Sequence, residues 1–170
     1  MLPDRIYIIG YMCSGKSSIS RKVAARLGYE SFDTDDLLEE KYHVCVSDFF
    51  DKYGEENFRK FESDILKKTG ELHKVVISTG GGTPCFFDNM QWMNDNGVTV
   101  FVKLNPLTAV HRIKMAKRKR PLVLNKTEDE LRDYVVNHFN SRLQFYEQAQ
   151  FTVKGESVDI DEIINYLSQL

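Results

Sequence analysis

The sequence predicts an α/β fold in a single domain, with a parallel sheet that helices cover on both faces. Short β-branched or aromatic runs alternate with longer stretches of helical periodicity, which is the pattern of βαβ units. The chain has 170 residues, of which 42% are apolar and 28% charged, and these values are typical of one globular domain. We therefore treat residues 1–170 as one unit.

Five short runs are the predicted strands. They are rich in Val, Ile, Phe, Tyr and Thr, the residue types that suit a pleated and partly buried backbone. Two of them lead directly into loops that contain glycine, at Gly10 and at Gly80. The predicted strands cover residues 6–9, 29–32, 75–78, 98–102 and 151–153.

The predicted helices lie between and after these strands. Gly28 ends the first helix, because glycine is favoured directly after a helix. Asp159 can cap the last helix, whose first turn contains the acidic residues Asp161 and Glu162. The predicted helices cover residues 17–27, 35–42, 47–53, 55–73, 127–149 and 159–170.

Charge and cysteine content exclude several classes of protein. The 23 basic and 25 acidic side chains leave a net charge of −2, which gives no reason to expect a nucleic-acid or membrane partner. No apolar run approaches the roughly 18 residues of a transmembrane helix. The three cysteines form no C-x-x-C pair, so we expect neither disulfides nor a zinc site, and a cytoplasmic location.

The loop after the first strand carries the motif of a phosphate-binding loop. Residues 10–17 fit G-x-x-x-x-G-K-[ST], with a strand before and a helix after. Its backbone N–H groups can surround phosphate oxygens, Lys16 can reach the β- and γ-phosphates, and the Ser17 hydroxyl can bind Mg²⁺. An ordinary tight turn is the alternative. The motif predicts binding of a nucleoside triphosphate.

Acidic residues follow the second predicted strand. Asp33, Asp35 and Asp36 lie where the carboxyl end of a strand faces the ligand crevice of an open sheet. One of them can hold Mg²⁺ through water, and another can accept a proton from a substrate hydroxyl. The alternative is that they only cap the following helix.

Two arginines occupy positions that helical periodicity assigns to the interior. Glu62 lies on the apolar stripe of its helix, three residues after Arg59, so the two can form an ion pair that holds the guanidinium for an anionic ligand. Arg142 projects between Leu131 and Val135 on the apolar face of another helix. Purely structural roles are the alternative for both arginines.

Two further segments suggest ligand contact. Gly80-Gly81-Gly82 follows a strand and lets a ligand approach the backbone, although a flexible turn is the alternative. Six basic residues lie within positions 112–120. They indicate either a lid that closes an arginine over the transferred phosphate, or a solvated helix face or RNA-binding patch.

These motifs together resemble those of the shikimate kinases, a P-loop family with the fold of the nucleoside-monophosphate kinases. The resemblance covers essentially the whole chain. It rests on Gly15-Lys16-Ser17, Asp33-Thr34-Asp35, Gly54-Glu55 with Phe58-Arg59 and Glu62, Gly80-Gly81-Gly82, Arg120-Pro121-Leu122, and Arg142 followed by Tyr146.

The resemblance implies a three-layer α/β/α P-loop kinase with a five-stranded parallel sheet in the order 2-3-1-4-5. It implies substrate-binding helices at about residues 33–62 and a mobile lid at about 112–125. Ser17 and, through water, Asp33 would bind Mg²⁺. The implied catalytic residues are Lys16, Asp35 and Arg120; the implied ATP-binding residues are Cys13, Ser14, Gly15, Lys16, Ser17, Ser18, Arg112 and Arg120.

For the acceptor, the resemblance implies a pocket that grips a carboxylate with Arg59 and Arg142. Glu62 would orient Arg59, the Gly81 amide would assist, and Asp35 would bind the hydroxyls and accept a proton. Phe50 and Phe58 would form the aromatic walls of this pocket. Cys13 departs from the family, which usually has glycine there, and we expect a strained backbone at this position.

The implied activity is phosphoryl transfer to an alcohol group: ATP and shikimate give ADP and 3-phosphoshikimate, in the biosynthesis of chorismate and the aromatic amino acids. We expect a monomer that binds neither nucleic acid nor membrane. Two alternatives stay open. One is another small-molecule kinase of this fold, acting on gluconate or a nucleotide, and the other is a nucleotide-binding regulatory or RNA-associated protein without catalysis.

Overall fold

The structure, a computed structural model, contains a five-stranded sheet in which every strand pairs in parallel with its neighbours. It describes residues 2–116, 123 and 125–170. The strands are β1 (Arg5–Ile9), β2 (Glu30–Asp33), β3 (Val75–Ser78), β4 (Val98–Lys103) and β5 (Phe151–Lys154). Their spatial order, β2-β3-β1-β4-β5, confirms the predicted order 2-3-1-4-5.

Seven α-helices are present in the described part of the chain, together with two 3₁₀ turns at Thr69–Glu71 and Thr83–Cys85. The helices are α1 (Lys16–Leu27), α2 (Thr34–Tyr42), α3 (Val46–Lys68), α4 (Asn89–Asn96), α5 (Pro106–Met115), α6 (Glu128–Tyr146) and α7 (Ile160–Ser168). None of these helices is long and apolar enough to cross a membrane.

The sheet separates two hydrophobic cores, because successive side chains of a strand point to opposite faces. Ile6 and Ile8 of β1 pack with α1 and α7 on one face, and Tyr7 and Ile9 pack with helices α3 to α6 on the other. The central strands β1 and β3 are buried on both faces, whereas the edge strands β2 and β5 are partly exposed. This arrangement confirms a sheet covered on both faces.

A third, smaller core joins α2 to α3 at the side of the sheet. Its buried members are Leu38, Phe49, Phe58 and Ile65. Within α3 the backbone is not helical at Gly54 (φ 77°, ψ 166°), so the helix bends there. Glycine adopts this left-handed region without a Cβ clash, which explains why the break falls at Gly54.

The structure differs from the predicted helices at several points. The helix predicted to end at residue 73 ends at Lys68 and is followed by the 3₁₀ turn. Helices α4 and α5 were not predicted. Since α5 runs to Met115, the first residues of the lid predicted at 112–125 belong to a helix; residues 117–122 and 124 lie outside the described residues.

Candidate active site

The phosphate-binding loop lies between β1 and α1, as its motif predicts. The buried Lys16 donates a hydrogen bond from Nζ to the carbonyl oxygen of Tyr11 (2.8 Å), which holds the ammonium inside the loop. Gly15 precedes α1 with φ 91°. Cys13 also has a left-handed backbone, with φ 61°, which costs free energy in any residue with a Cβ. The expected strain at Cys13 is therefore present in the backbone.

Other residues predicted to bind ATP surround this loop. Arg112 on α5 donates from Nη1 to the Cys13 carbonyl and from Nη2 to the Gly155 carbonyl, both at 3.3 Å. Its guanidinium thus joins the phosphate loop to the loop after β5. Ser14 is buried and Ser18 is exposed on the first turn of α1. Arg120, predicted to be catalytic, lies outside the described residues.

The acidic cluster begins where β2 meets α2. Asp33 uses both carboxylate oxygens: Oδ2 accepts from the Ser17 hydroxyl at 2.7 Å, and Oδ1 accepts from the Asp35 N–H at 3.0 Å. The contacts of Asp33 are therefore compatible both with capping of α2 and with holding Mg²⁺ beside the phosphate loop. Hydroxyl and carboxylate oxygens are the donor types that Mg²⁺ prefers, so this pair fits the predicted metal ion.

That pair is a small donor set for a metal. Among the residues described, no three His, Cys, Asp or Glu side chains come together as a metal site. A protein site for Mg²⁺ with nucleotide commonly contributes only one or two side chains and leaves the rest to phosphate oxygens and water. The Ser17–Asp33 pair thus fits Mg²⁺ held together with a nucleotide.

Arg59 is buried on α3 and holds two carboxylates. Its Nη1 donates to Glu62 Oε2 at 2.9 Å, and its Nε and Nη2 donate to Glu55 Oε1 at 3.3 and 3.1 Å. Burial lowers the pKa of Arg59, but the charges and hydrogen bonds of Glu62 and Glu55 raise it above its usual value. Glu62 also accepts from the Thr83 hydroxyl at 2.7 Å. Glu62 therefore fixes the orientation of Arg59.

Arg142 enters the same cleft from α6. Its residue is 7% exposed, as the prediction of an inward-pointing side chain requires. Within the described residues, no Asp or Glu forms an ion pair with it. One turn further along α6, the Tyr146 hydroxyl donates to the Gly81 carbonyl at 2.5 Å. A buried guanidinium without an acidic partner is well suited to bind an anionic ligand.

The three glycines after β3 make room for these charged side chains. A Cβ on Gly80 would lie 2.5 Å from Glu62 Oε1, and one on Gly82 would lie 2.5 Å from Arg59 Nη1. A Cβ on Gly81 would lie 3.2 Å from the backbone nitrogen of Met12 in the phosphate loop. Close packing against the ion pair and the phosphate loop therefore explains this glycine run.

These groups line one cleft of about 610 Å³, part of it open to solvent. Its lining includes every residue predicted to bind the acceptor: Asp35, Phe50, Phe58, Arg59, Glu62, Gly81 and Arg142, joined by Met12, Val46, Gly80 and Gly82.

Several neighbours of this cleft were not singled out from the sequence. The Phe86 ring lies under the Arg59 guanidinium, with 4.4 Å from Cζ to the ring centroid, closer than Phe58 (5.1 Å) or Phe50 (5.8 Å). Phe86 follows a 3₁₀ turn and shows no periodicity that would have identified it. Rings at this distance stabilise a buried cation.

His138 was also not assigned a role. Its Nδ1 lies 2.9 Å from the Tyr11 hydroxyl, which links α6 to the phosphate loop. Burial, together with the positive charges of Arg142 and Arg59, lowers the pKa of His138 to about 4. Burial likewise raises the pKa of Cys85 to about 11. Both side chains are therefore uncharged at neutral pH.

Comparison with known proteins identifies relatives over nearly the full chain. A family model described as shikimate kinase matches residues 12–170. A curated shikimate kinase of Phocaeicola vulgatus is 40% identical over 155 residues, which cover 91% of this chain and 89% of the relative.

Solved structures agree with this result. A shikimate kinase crystal structure from Bacteroides thetaiotaomicron has a TM-score of 0.90 at 36% identity and covers 98% of this chain and 97% of the other. A shikimate kinase from Acinetobacter baumannii, in complex with shikimate, has a TM-score of 0.83 at 27% identity, with 98% and 91% covered.

Proposed function

The chain belongs to the shikimate kinase family, and we propose that it transfers the γ-phosphoryl group of ATP to the 3-hydroxyl of shikimate, which releases ADP. The observation that carries this proposal is the pair of buried arginines, Arg59 and Arg142, that line one cleft with Asp35 beside the phosphate loop. The cleft thus offers two cations for a carboxylate and one acid for a hydroxyl. Shikimate carries both groups.

On the nucleotide side, Lys16 and the loop amides hold the phosphates of ATP, and Arg112 lies where the loop meets the segment after β5. Ser17 and, through water, Asp33 would hold Mg²⁺. When bound, this ion neutralises charge on the β- and γ-phosphates. The lid arginine Arg120 stays a predicted contact to the transferred group.

On the acceptor side, Arg59 and Arg142 bind the carboxylate and so orient the ring. Asp35 accepts a hydrogen bond from the attacking hydroxyl and takes its proton as the oxygen bonds to the γ-phosphorus. The bond from that phosphorus to the β-phosphate oxygen breaks, and ADP leaves. Phosphoryl transfer needs mainly positioning and charge neutralisation, which this set of side chains provides.

The test is ADP release with ATP and Mg²⁺, measured in parallel with shikimate, gluconate, a nucleoside monophosphate and no acceptor. We expect turnover with shikimate and only the background rate in the other three reactions. Turnover with gluconate or the nucleotide, but not with shikimate, would overturn shikimate as the acceptor and leave the ATP-binding role of the phosphate loop intact. A rate of ADP release no higher than background with every acceptor would overturn the proposed catalysis.

The wider setting belongs to the same proposal. Its product, 3-phosphoshikimate, places the protein in chorismate and aromatic amino-acid biosynthesis. A monomeric state and a cytoplasmic location stay predictions. Size-exclusion chromatography with light scattering tests the first of them.

A further inference from the structure

The two carboxylates on Arg59 differ in how firmly they are held. Glu62 has a side chain only 3% exposed, and the Thr83 hydroxyl holds its second oxygen. Glu55 has a side chain 48% exposed and contacts Arg59 through a single oxygen, Oε1. Glu62 is therefore a fixed partner of Arg59, whereas Glu55 can turn into solvent without leaving a buried charge unpaired.

Glu55 occupies the edge of Arg59 that best binds a carboxylate. The Nε and Nη2 groups point the same way and form a two-donor edge that matches carboxylate geometry. Both of them donate to Glu55. An acceptor carboxylate that uses this edge must compete with Glu55 for the same hydrogens.

The charges on Arg59 point the same way. With Glu55 and Glu62 both in place, two carboxylates contact one guanidinium. With Glu55 turned into solvent, one carboxylate remains on Arg59, and the carboxylate of an acceptor restores the arrangement of two.

We propose that Glu55 competes with the acceptor's carboxylate for Arg59, and that acceptor binding displaces Glu55 into solvent. This inference rests on the proposed function, in which Arg59 binds that carboxylate. Glu55 is then a specificity-determining residue. An acceptor without a carboxylate cannot replace it on the guanidinium and meets a cleft in which Arg59 is already neutralised.

The backbone around Glu55 suits such a displacement. Gly54 directly before it interrupts α3, and a Cβ at Gly54 would meet nothing within 4 Å.

The test compares Glu55→Gln with Glu56→Gln. Both variants remove one negative charge, but Glu56 pairs with Lys60 on the exposed side of α3 and has a side chain 84% exposed. For Glu55→Gln we expect the KM for shikimate to fall about two- to fivefold, the range expected for an ion pair whose carboxylate lies at the surface. The KM for ATP should stay unchanged, and Glu56→Gln should match the parent chain in both constants.

Direct titration of shikimate by calorimetry, without nucleotide, measures the same effect apart from turnover. Tighter binding by Glu55→Gln than by Glu56→Gln supports displacement, because a residue that only supports Arg59 cannot improve affinity when it is removed. An unchanged or higher KM and dissociation constant for Glu55→Gln, in a parent chain that uses shikimate, overturns displacement and leaves the proposed function intact. A parent chain that neither binds nor phosphorylates shikimate overturns both.

Discussion

Replacing each arginine of the cleft by alanine separates its contribution to shikimate binding from its contribution to the stability of the fold. Arg142→Ala removes a guanidinium that has no acidic partner among the described residues, whereas Arg59→Ala leaves the buried Glu62 carboxylate without its cation. Charge-assisted hydrogen bonds contribute about 1.5–3 kcal/mol, so each variant should raise the KM for shikimate about tenfold or more. The KM for ATP should change little, because neither arginine hydrogen-bonds to the phosphate loop.

The two variants should differ in their free energy of unfolding. Breaking a buried ion pair costs about 3 kcal/mol or more, so Arg59→Ala should lose that much. Arg142→Ala should lose about 1 kcal/mol, from the packing of its stem and its interaction with Tyr146. Urea unfolding followed by fluorescence of Trp92, the single tryptophan, which contacts Tyr7, measures this difference.

Arg132→Ala is the matched control for Arg142→Ala, because Arg132 is an exposed arginine of the same helix. It should leave both KM values and the unfolding free energy unchanged. An equal loss of stability in Arg59→Ala and Arg142→Ala would refute the distinction between a paired and an unpaired guanidinium. An equal rise in the KM for ATP and for shikimate would show that these arginines are structural.

Three further substitutions test other parts of the site. Asp35→Asn should lower kcat about a hundredfold or more, since it removes the proposed general base, while Asp36→Asn on the exposed side of α2 should not change it. Cys13→Gly should raise the free energy of unfolding by up to about 1 kcal/mol, and with it the urea midpoint, because glycine adopts φ 61° without strain. Cys45 has φ −69°, so Cys45→Gly relieves no strain and should lower the midpoint. The pKa of His138 falls from 6.5 to about 4 on folding, so the unfolded chain takes up the proton first as the pH falls. The contribution of His138 to the free energy of unfolding is therefore complete above about pH 6.5 and is lost as the pH falls toward 4. His138→Gln should therefore reduce the drop in urea midpoint between about pH 7 and about pH 5.

The strands were predictable because burial on both faces selects an unbroken apolar run. Every residue of β3 is buried, as are four of the five residues of β1, so both strands consist mostly of apolar residues. Helix α4 was missed because its eight residues include three asparagines and an aspartate, which weaken any helical periodicity. Helix α5 did carry a start signal, with Asn105 as cap and Pro106 in the first turn, but the basic residues at its end favoured a lid.

Site residues close together in sequence were easier to predict than contacts across the fold. The three-residue spacing of Arg59 and Glu62 on an apolar stripe predicts their ion pair directly, and the structure has it. The contact between Phe86 and Arg59 depends on how the turn after β3 packs against α3, which no local pattern encodes. Glu55 illustrates the same limit. Its four-residue spacing from Arg59 permits an ion pair, but the spacing does not show which edge of the guanidinium the carboxylate occupies.

The order of the strands explains why motifs far apart in the sequence form one site. Strands β2, β3 and β1 are neighbours in the sheet, and parallel strands end at the same edge. The acidic cluster, the three glycines and the phosphate loop follow these three strands, so the strand order alone brings them to one edge of the sheet. Specific contacts then set the distances: Gly81 lies against the phosphate loop and is held by Tyr146, and Tyr146 lies one turn beyond Arg142. The helix that bears Arg142 is thereby tied to the phosphate-binding loop, and an in-line transfer of the kind proposed requires such an alignment of its two binding sites.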